Sequence, residues 1–127
     1  MRTCIKSPNI PLPVGPFSQA VKHNGFLYIS GQISVNPKTG EIEKTDIAGQ
    51  TRRILENMKI LLEDAGTSMN DVIKCTIFLS SLDDFNKMNE VYGQFFKENP
   101  PARVTVGVNE IYAGLSIEMD AVAAIDE

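Results

Sequence analysis

The sequence predicts an α+β fold, a mixed sheet carrying only two helices, in a single domain spanning residues 1–127. Three observations predict it. Two segments repeat apolar residues at helical spacing, several others alternate apolar and polar residues at the strand period of two, and their order is hairpin, helix, strand, helix, hairpin. A length of 127 residues leaves little room for a second core, and 43% hydrophobic against 22% charged residues suffices to close one.

The elements follow in chain order. Pro8 to Pro16 is the only proline-rich stretch and reads as an ordered arm or loop. Two short apolar runs, one ending at Val21 and one running Phe26 to Ile29, flank His23-Asn24-Gly25, a turn that permits positive φ, and so form a hairpin. Gln32 to Lys44 is broken by Asn36-Pro37-Lys38-Thr39-Gly40 and reads as a loop. From Asp46 to Ala65 the residues Ile47, Ile54, Met58, Leu61, Leu62 and Ala65 form a helical stripe, which Gly66 stops. Val72 to Leu79 alternates Ile73, Cys75, Ile77 and Leu79 against Lys74, Thr76 and Ser80, a half-buried strand. Ser81-Leu82-Asp83-Asp84 caps a second helix, with Phe85, Met88, Tyr92, Phe95 and Phe96 on its stripe and Asn99-Pro100-Pro101 at its end.

Two closing strands, Ala102 to Val108 and Leu115 to Ile125, are expected to pair antiparallel across the Asn109 to Gly114 connection. In the first, Val104, Val106 and Val108 share a side and Arg103, Thr105, Gly107 and Asn109 take the other. In the second, Leu115, Ile117, Met119, Ala121 and Ala123 oppose Ser116, Glu118 and Asp120. Whether the two polar rows meet is set by register. If both apolar rows lie under the helices, Arg103 and Glu118 project from one helix-free face. Val122 and Ala124 lie on the Glu118 side, and Ile29 and Ile33 read as spare apolar groups, so that face is expected to turn inward in a closed homo-oligomer. A solvated face on a monomer is the alternative.

Composition narrows the function classes. Twelve basic against sixteen acidic residues give a net charge of -4, which holds no polyanion by counterion release, so nucleic acid is an unfavoured partner. One histidine, His23, and two cysteines, Cys4 and Cys75, do not supply a zinc site, and no metal or cofactor is expected. No stretch approaches a membrane span, and the expected setting is the cytoplasm with reduced thiols. Cys75 reads as a small core residue, His23 as a solvated turn residue and Arg52-Arg53 beside Glu56 as a solvated helix face. Arg103, following the stiff Pro100-Pro101-Ala102 inside an otherwise apolar strand, is either a surface charge or a fork for a carboxylate. Gly31, after the Phe26 to Ser30 strand, is either a strand end or a place where a ligand approaches backbone.

Over nearly its whole length the chain resembles the Rid family, also called YjgF. The resemblance is carried by Gly15-Pro16-Phe17-Ser18-Gln19-Ala20, Leu27-Tyr28-Ile29-Ser30-Gly31-Gln32, Asn57-Met58 through Ala65-Gly66, and Asn89-Glu90-Val91-Tyr92-Gly93-Gln94-Phe95-Phe96. It closes on Pro101-Ala102-Arg103 and Ile117-Glu118-Met119. It implies a chorismate-mutase-like subunit, a mixed six-stranded sheet with two helices on one face, and a homotrimer with clefts between subunits. It further implies hydrolytic deamination of 2-imino or 2-enamino acids, such as 2-aminoacrylate and 2-iminobutyrate, to 2-keto acids and ammonia. In that reading Arg103 holds the substrate carboxylate, Glu118 positions or activates water, and Phe17, Ser30, Gly31, Asn89, Ala102 and Thr105 line the pocket. Many members carry tyrosine where Phe17 stands and cysteine where Thr105 stands. The loss of the phenol favours a competing reading, a non-catalytic binder of small carboxylates. A third reading, an endoribonuclease, meets no basic stripe with interleaved aromatics.

Overall fold

The computed structural model describes residues 1–126. Six strands form one sheet in the order β1-β2-β3-β6-β4-β5: β1 (Thr3–Ile5), β2 (Ala20–His23), β3 (Phe26–Gln32), β4 (Val72–Leu79), β5 (Ala102–Gly107) and β6 (Ile117–Ala124). Only the β4–β5 pair is parallel. Two helices, α1 (Ile47–Ala65) and α2 (Phe85–Phe95), pack side by side on one face.

Local chemistry sets each element. Asn24 (φ 50°) and Gly25 (φ 82°) turn β2 into β3 with positive φ at both positions, the twist that a two-residue hairpin needs. At the start of α1 the Asp46 carboxylate accepts a bond from the Gly49 N–H at 2.8 Å, and Gly66 (φ 99°) ends the helix in the left-handed region. The α1 stripe Ile54, Leu55, Met58, Leu61 and Leu62 is wholly buried against Cys75, Ile77, Leu79, Ile117 and Met119 of the sheet. Each such aliphatic side chain contributes about 1.5–3 kcal/mol on burial. Ser81 accepts from the Asp83 N–H at 3.2 Å and opens a 3-10 turn that leads into α2.

The loop 33–44 is tied to α1. Arg53 Nε bonds Glu43 Oε1 at 3.0 Å, and Asn57 Nδ2 donates to the Val35 carbonyl at 2.7 Å. Arg53 is therefore a loop clamp rather than part of a solvated face. Asn36 Oδ1 takes the N–H groups of Lys38 and Thr39, folding the loop tip.

Three expectations need correction. The two closing strands do not pair. β5 lies parallel to β4, and β6 fills the gap between β3 and β4. The short connection carries the chain across β4 instead of turning it back, because β6 buries its apolar row only between two strands. The valines of β5 consequently face the other way. Parallel register sets Arg103 beside Cys75 and Thr105 beside Ile77, both on the helix side, and turns Val104 and Val106 outward. Ile29 is not spare, for it is buried in the core at 4% exposure. The sequence also concealed β1, three residues that pair with β2.

Candidate functional site

The β5 edge carries the arginine. Because Arg103 points to the helix side of an edge strand, its guanidinium meets α2 rather than solvent, lying 4.8 Å from the centre of the Tyr92 ring and 5.6 Å from that of Phe85. Tyr92 is itself stacked on Phe96, with centroids 4.7 Å apart. Phe85, Asn89 and Tyr92 follow at helical spacing, so Asn89 sits between the two rings on that face. The Asn89 Oδ1 is buried without a partner among the described residues. No described carboxylate lies within ion-pairing distance of Arg103. A half-buried guanidinium set against rings and left unneutralised has the chemistry to take an outside anion, and its fork matches a carboxylate.

The second cluster lies toward β3. A bulge between Ile29 and Gln32 exposes Gly31, and a Cβ there would run into the Glu118 carboxylate from β6. Gly31 is thus the seat of Glu118. Burial, and then the neighbouring Asp120, raise the Glu118 carboxyl above the ordinary carboxylate range. Ser30 Oγ donates to the Ser18 carbonyl at 2.6 Å, fastening β3 to the arm that carries Phe17, whose ring is 54% exposed. Phe17, Ser30 and Gly31 border one cavity of about 190 Å³.

The expected site residues therefore fall into two groups. Arg103, Thr105 and Asn89 gather at β5 and α2, with Ala102 exposed at the start of the strand. Phe17, Ser30, Gly31 and Glu118 gather at β3 and β6. Arg103 and Glu118 do not share a face, since Glu118 projects from the helix-free side with Val122. β3 and β5 are also three places apart in the sheet, about 14 Å at the usual strand spacing. One chain does not bring both clusters onto one small molecule.

Phe85 and Tyr92, which the sequence assigns only to a packing stripe, form the bed of Arg103. Their i, i+7 relation was visible, but their contact with Arg103 depends on the parallel β4–β5 register. Cys75 lies beside Tyr92, and burial pushes its thiol up to about 11, so it stays an un-ionised core group. His23 ends β2 with Nδ1 buried and without a partner among the described residues, not solvated in the turn. Among the described residues no three His, Cys, Asp or Glu side chains gather as metal ligands would, and no helix is long and apolar enough to cross a membrane.

The helix-free face is mixed, carrying Lys74, Glu118 and Asp120 as well as exposed apolar groups. Phe26, Tyr28, Val104 and Val106 are exposed on it, with the Phe26 and Tyr28 rings 6.4 Å apart.

The class that these features define is a small α+β domain: one mixed six-stranded sheet with two helices on one side. Residues 7–125 match the Endoribonuclease L-PSP family. The chain belongs to that family, the group also called Rid, YjgF or RutC. A RutC family protein of Pyrococcus horikoshii is 53% identical over 97% of this chain and 98% of its own. The human 2-iminobutanoate/2-iminopropanoate deaminase is 39% identical over 97% of this chain and 90% of its own. A crystal structure of a Rid family protein from Yersinia pestis superposes with a TM-score of 0.94 at 38% identity, covering 98% of this chain and all of that one.

Proposed function

We propose that the protein hydrolyses small 2-imino acids, and their 2-enamino tautomers, to 2-keto acids and ammonia, at clefts formed between neighbouring copies in a homotrimer. The observation that carries this reading is the division of the site: an unpaired arginine on one strand edge and a raised carboxylate on another, on opposite faces of one sheet. A second copy supplies what each cluster lacks. The exposed Phe26, Tyr28, Val104 and Val106 give the helix-free face the apolar area that a stable contact needs.

In the proposed cleft Arg103 holds the substrate carboxylate, with Thr105 beside it and Asn89 above. The partner copy brings Glu118, seated on Gly31, together with Ser30 and Phe17. An enamine first takes a proton at C3 to become the imine. Water then adds to C2, its proton passing to Glu118 and from there to the nitrogen that takes the C=N pair. The carbinolamine collapses as its hydroxyl proton passes by Glu118 to the amino group, the C=O bond forms, the C–N bond breaks and ammonia leaves. Imines are reactive enough that orientation supplies much of the gain, and a general base supplies more. The steps need neither a metal nor a redox cofactor. The human relative's name points to the same substrates.

RNA cleavage, which the family description names, is disfavoured by a net charge of -4 and the single histidine. The deciding experiment generates 2-iminobutanoate in situ and follows 2-ketobutanoate release with and without protein. Acceleration that disappears in Arg103→Ala is the expected result. Binding of a keto acid without acceleration would replace the enzyme with a carboxylate-binding protein.

A further inference from the structure

The last turn of α1 carries the wrong charge for a helix end. A helix C-terminus favours basic side chains, yet Leu62-Glu63-Asp64-Ala65 holds two acids and no base. One of the acids has partners in the proline-rich arm. Ser7 Oγ and Asn9 Nδ2, 57 and 55 positions back in the chain, both donate to Asp64 Oδ2, the second at 2.9 Å. The two donors hold the Asp64 carboxyl below the ordinary carboxylate range. The Asn9 N–H also donates to Ser7 Oγ at 3.1 Å and closes the knot.

A second clamp continues from the first. Gln19 is buried at 4% exposure; its Oε1 accepts the Ser7 N–H, and its Nε2 donates to the carbonyls of Ser7 and Pro11 at 3.3 and 3.1 Å. The Gln19 carbonyl then accepts the Ser30 N–H at 3.1 Å, and the Ser18 carbonyl accepts from Ser30 Oγ. Hydrogen bonds therefore run unbroken from Asp64 through Ser7 and Gln19 to β3. The segment between the two ends of that line carries Phe17. Pro8, Pro11, Pro13 and Pro16 fix φ along it, so the end held at Ser7 is stiffly joined to the end that bears the ring. Phe17 is 54% exposed, which leaves the arm to set its place.

We infer that Asp64 is a positioning residue: by latching the arm to α1 it fixes Phe17 where the proposed cleft needs it. The inference rests on the hydrolytic reading of the site and adds a residue on the far side of the arm. The test pairs Asp64→Ala with Glu63→Ala, which removes the same charge from the same turn but leaves both arm bonds in place. Amide exchange is measured on the protein alone, 2-ketobutanoate binding by calorimetry, and turnover on 2-iminobutanoate made in situ.

Asp64→Ala is expected to speed exchange at Ser7 and Asn9 about tenfold and to weaken keto-acid binding and raise KM about fivefold, with the loss confined to KM. Asp64→Asn keeps an oxygen for Ser7 and should recover part of each effect. Glu63→Ala should move none of them. Combined with Phe17→Ala, the Asp64→Ala loss should largely disappear, because both changes act on one ring. Equal effects of Glu63→Ala and Asp64→Ala overturn the latch, as do additive losses with Phe17→Ala, or faster exchange with unchanged keto-acid affinity. Each of these leaves hydrolysis standing. Keto-acid binding without imine turnover in the wild type removes the hydrolytic reading, and exchange and affinity then decide the latch without it.

Discussion

The β5 edge holds its charged group against rings in the core, whereas the β3 end holds its carboxylate by leaving room for it. Arg103 lies against the buried ring of Tyr92, which stacks on Phe96, and against the more exposed ring of Phe85. Glu118 has no such bed; it rests where Gly31 lacks a side chain and beside an acid that repels it. In the proposed reaction the first cluster holds the substrate and the second exchanges a proton. Their separation across the sheet means that assembly, rather than folding of the single chain, completes the proposed site.

Removing the anchor breaks the comparison most severely. Arg103→Ala is expected to lower kcat/KM about a thousandfold, because truncating one side of a desolvated charge pair forfeits most of the carboxylate's binding. Circular dichroism should be unchanged, since Arg103 is only half-buried and holds no core contact beyond the two rings. Glu118→Gln comes next, with a loss of about a hundredfold concentrated in kcat, as for removal of a general base. An equal loss in KM would instead make Glu118 part of the binding surface.

Complementation sharpens the division. Each variant keeps the half that the other lacks, so refolding the two inactive proteins together should restore about a quarter of wild-type activity, one intact cleft arising in every mixed trimer. No recovery would place both groups in one chain's site. Sedimentation of Val104→Asp should show a smaller species and a matching loss of turnover, because that valine is exposed on the helix-free face.

Most of the sheet and both helices were legible because their patterns are local. The Asp46 and Gly66 caps, the Asn24-Gly25 turn and the β4 alternation from Cys75 to Leu79 are each decided within a few residues, whereas Ile73, expected in the same row, is 42% exposed because the ladder shifts between Val72 and Lys74. The face on which Arg103 lies was not legible. Alternation says which residues oppose one another along β5, but only pairing with β4, parallel and at the edge, says which row meets the helices. Val104 and Val106, whose side register alone decides, lie on the outer surface for that reason. At Gly31 the alternatives, a strand end or a ligand's approach to backbone, left out the group that fills the notch, Glu118, 87 residues on, because only the pairing of β3 with β6 brings the two together.

The pH response separates the clusters again. Folding favours the protonated form of Glu118, because burial and Asp120 raise its carboxyl. Its contribution to stability is therefore present below the unfolded carboxylate pKa, about 4.3, and is lost as pH rises through the raised folded value. Activity runs the other way, since water activation needs the ionised form. The acid limb of kcat/KM should lie above the ordinary carboxylate range and vanish in Glu118→Gln. A limb at the ordinary value would mean that another acid, Asp120 being the nearest, takes the proton.

The smallest effect concerns the arginine's bed. Tyr92 presents two things to its surroundings: a ring that faces the guanidinium and a hydroxyl buried without an oxygen or nitrogen partner among the described residues, its neighbour being the Cys75 thiol. Burial raises that phenol further, so it does not ionise at working pH. If the ring does the positioning, Tyr92→Phe should change kcat/KM by less than about twofold and leave stability nearly level, because the buried hydroxyl gives up only its weak contact with the Cys75 thiol. Tyr92→Leu should raise KM about tenfold with kcat nearly constant, the size of a partly desolvated cation–π contact. Equal losses in both variants would shift the role from the ring to the hydroxyl, and would make the β5 cluster a hydrogen-bonded site instead of one held by aromatic packing.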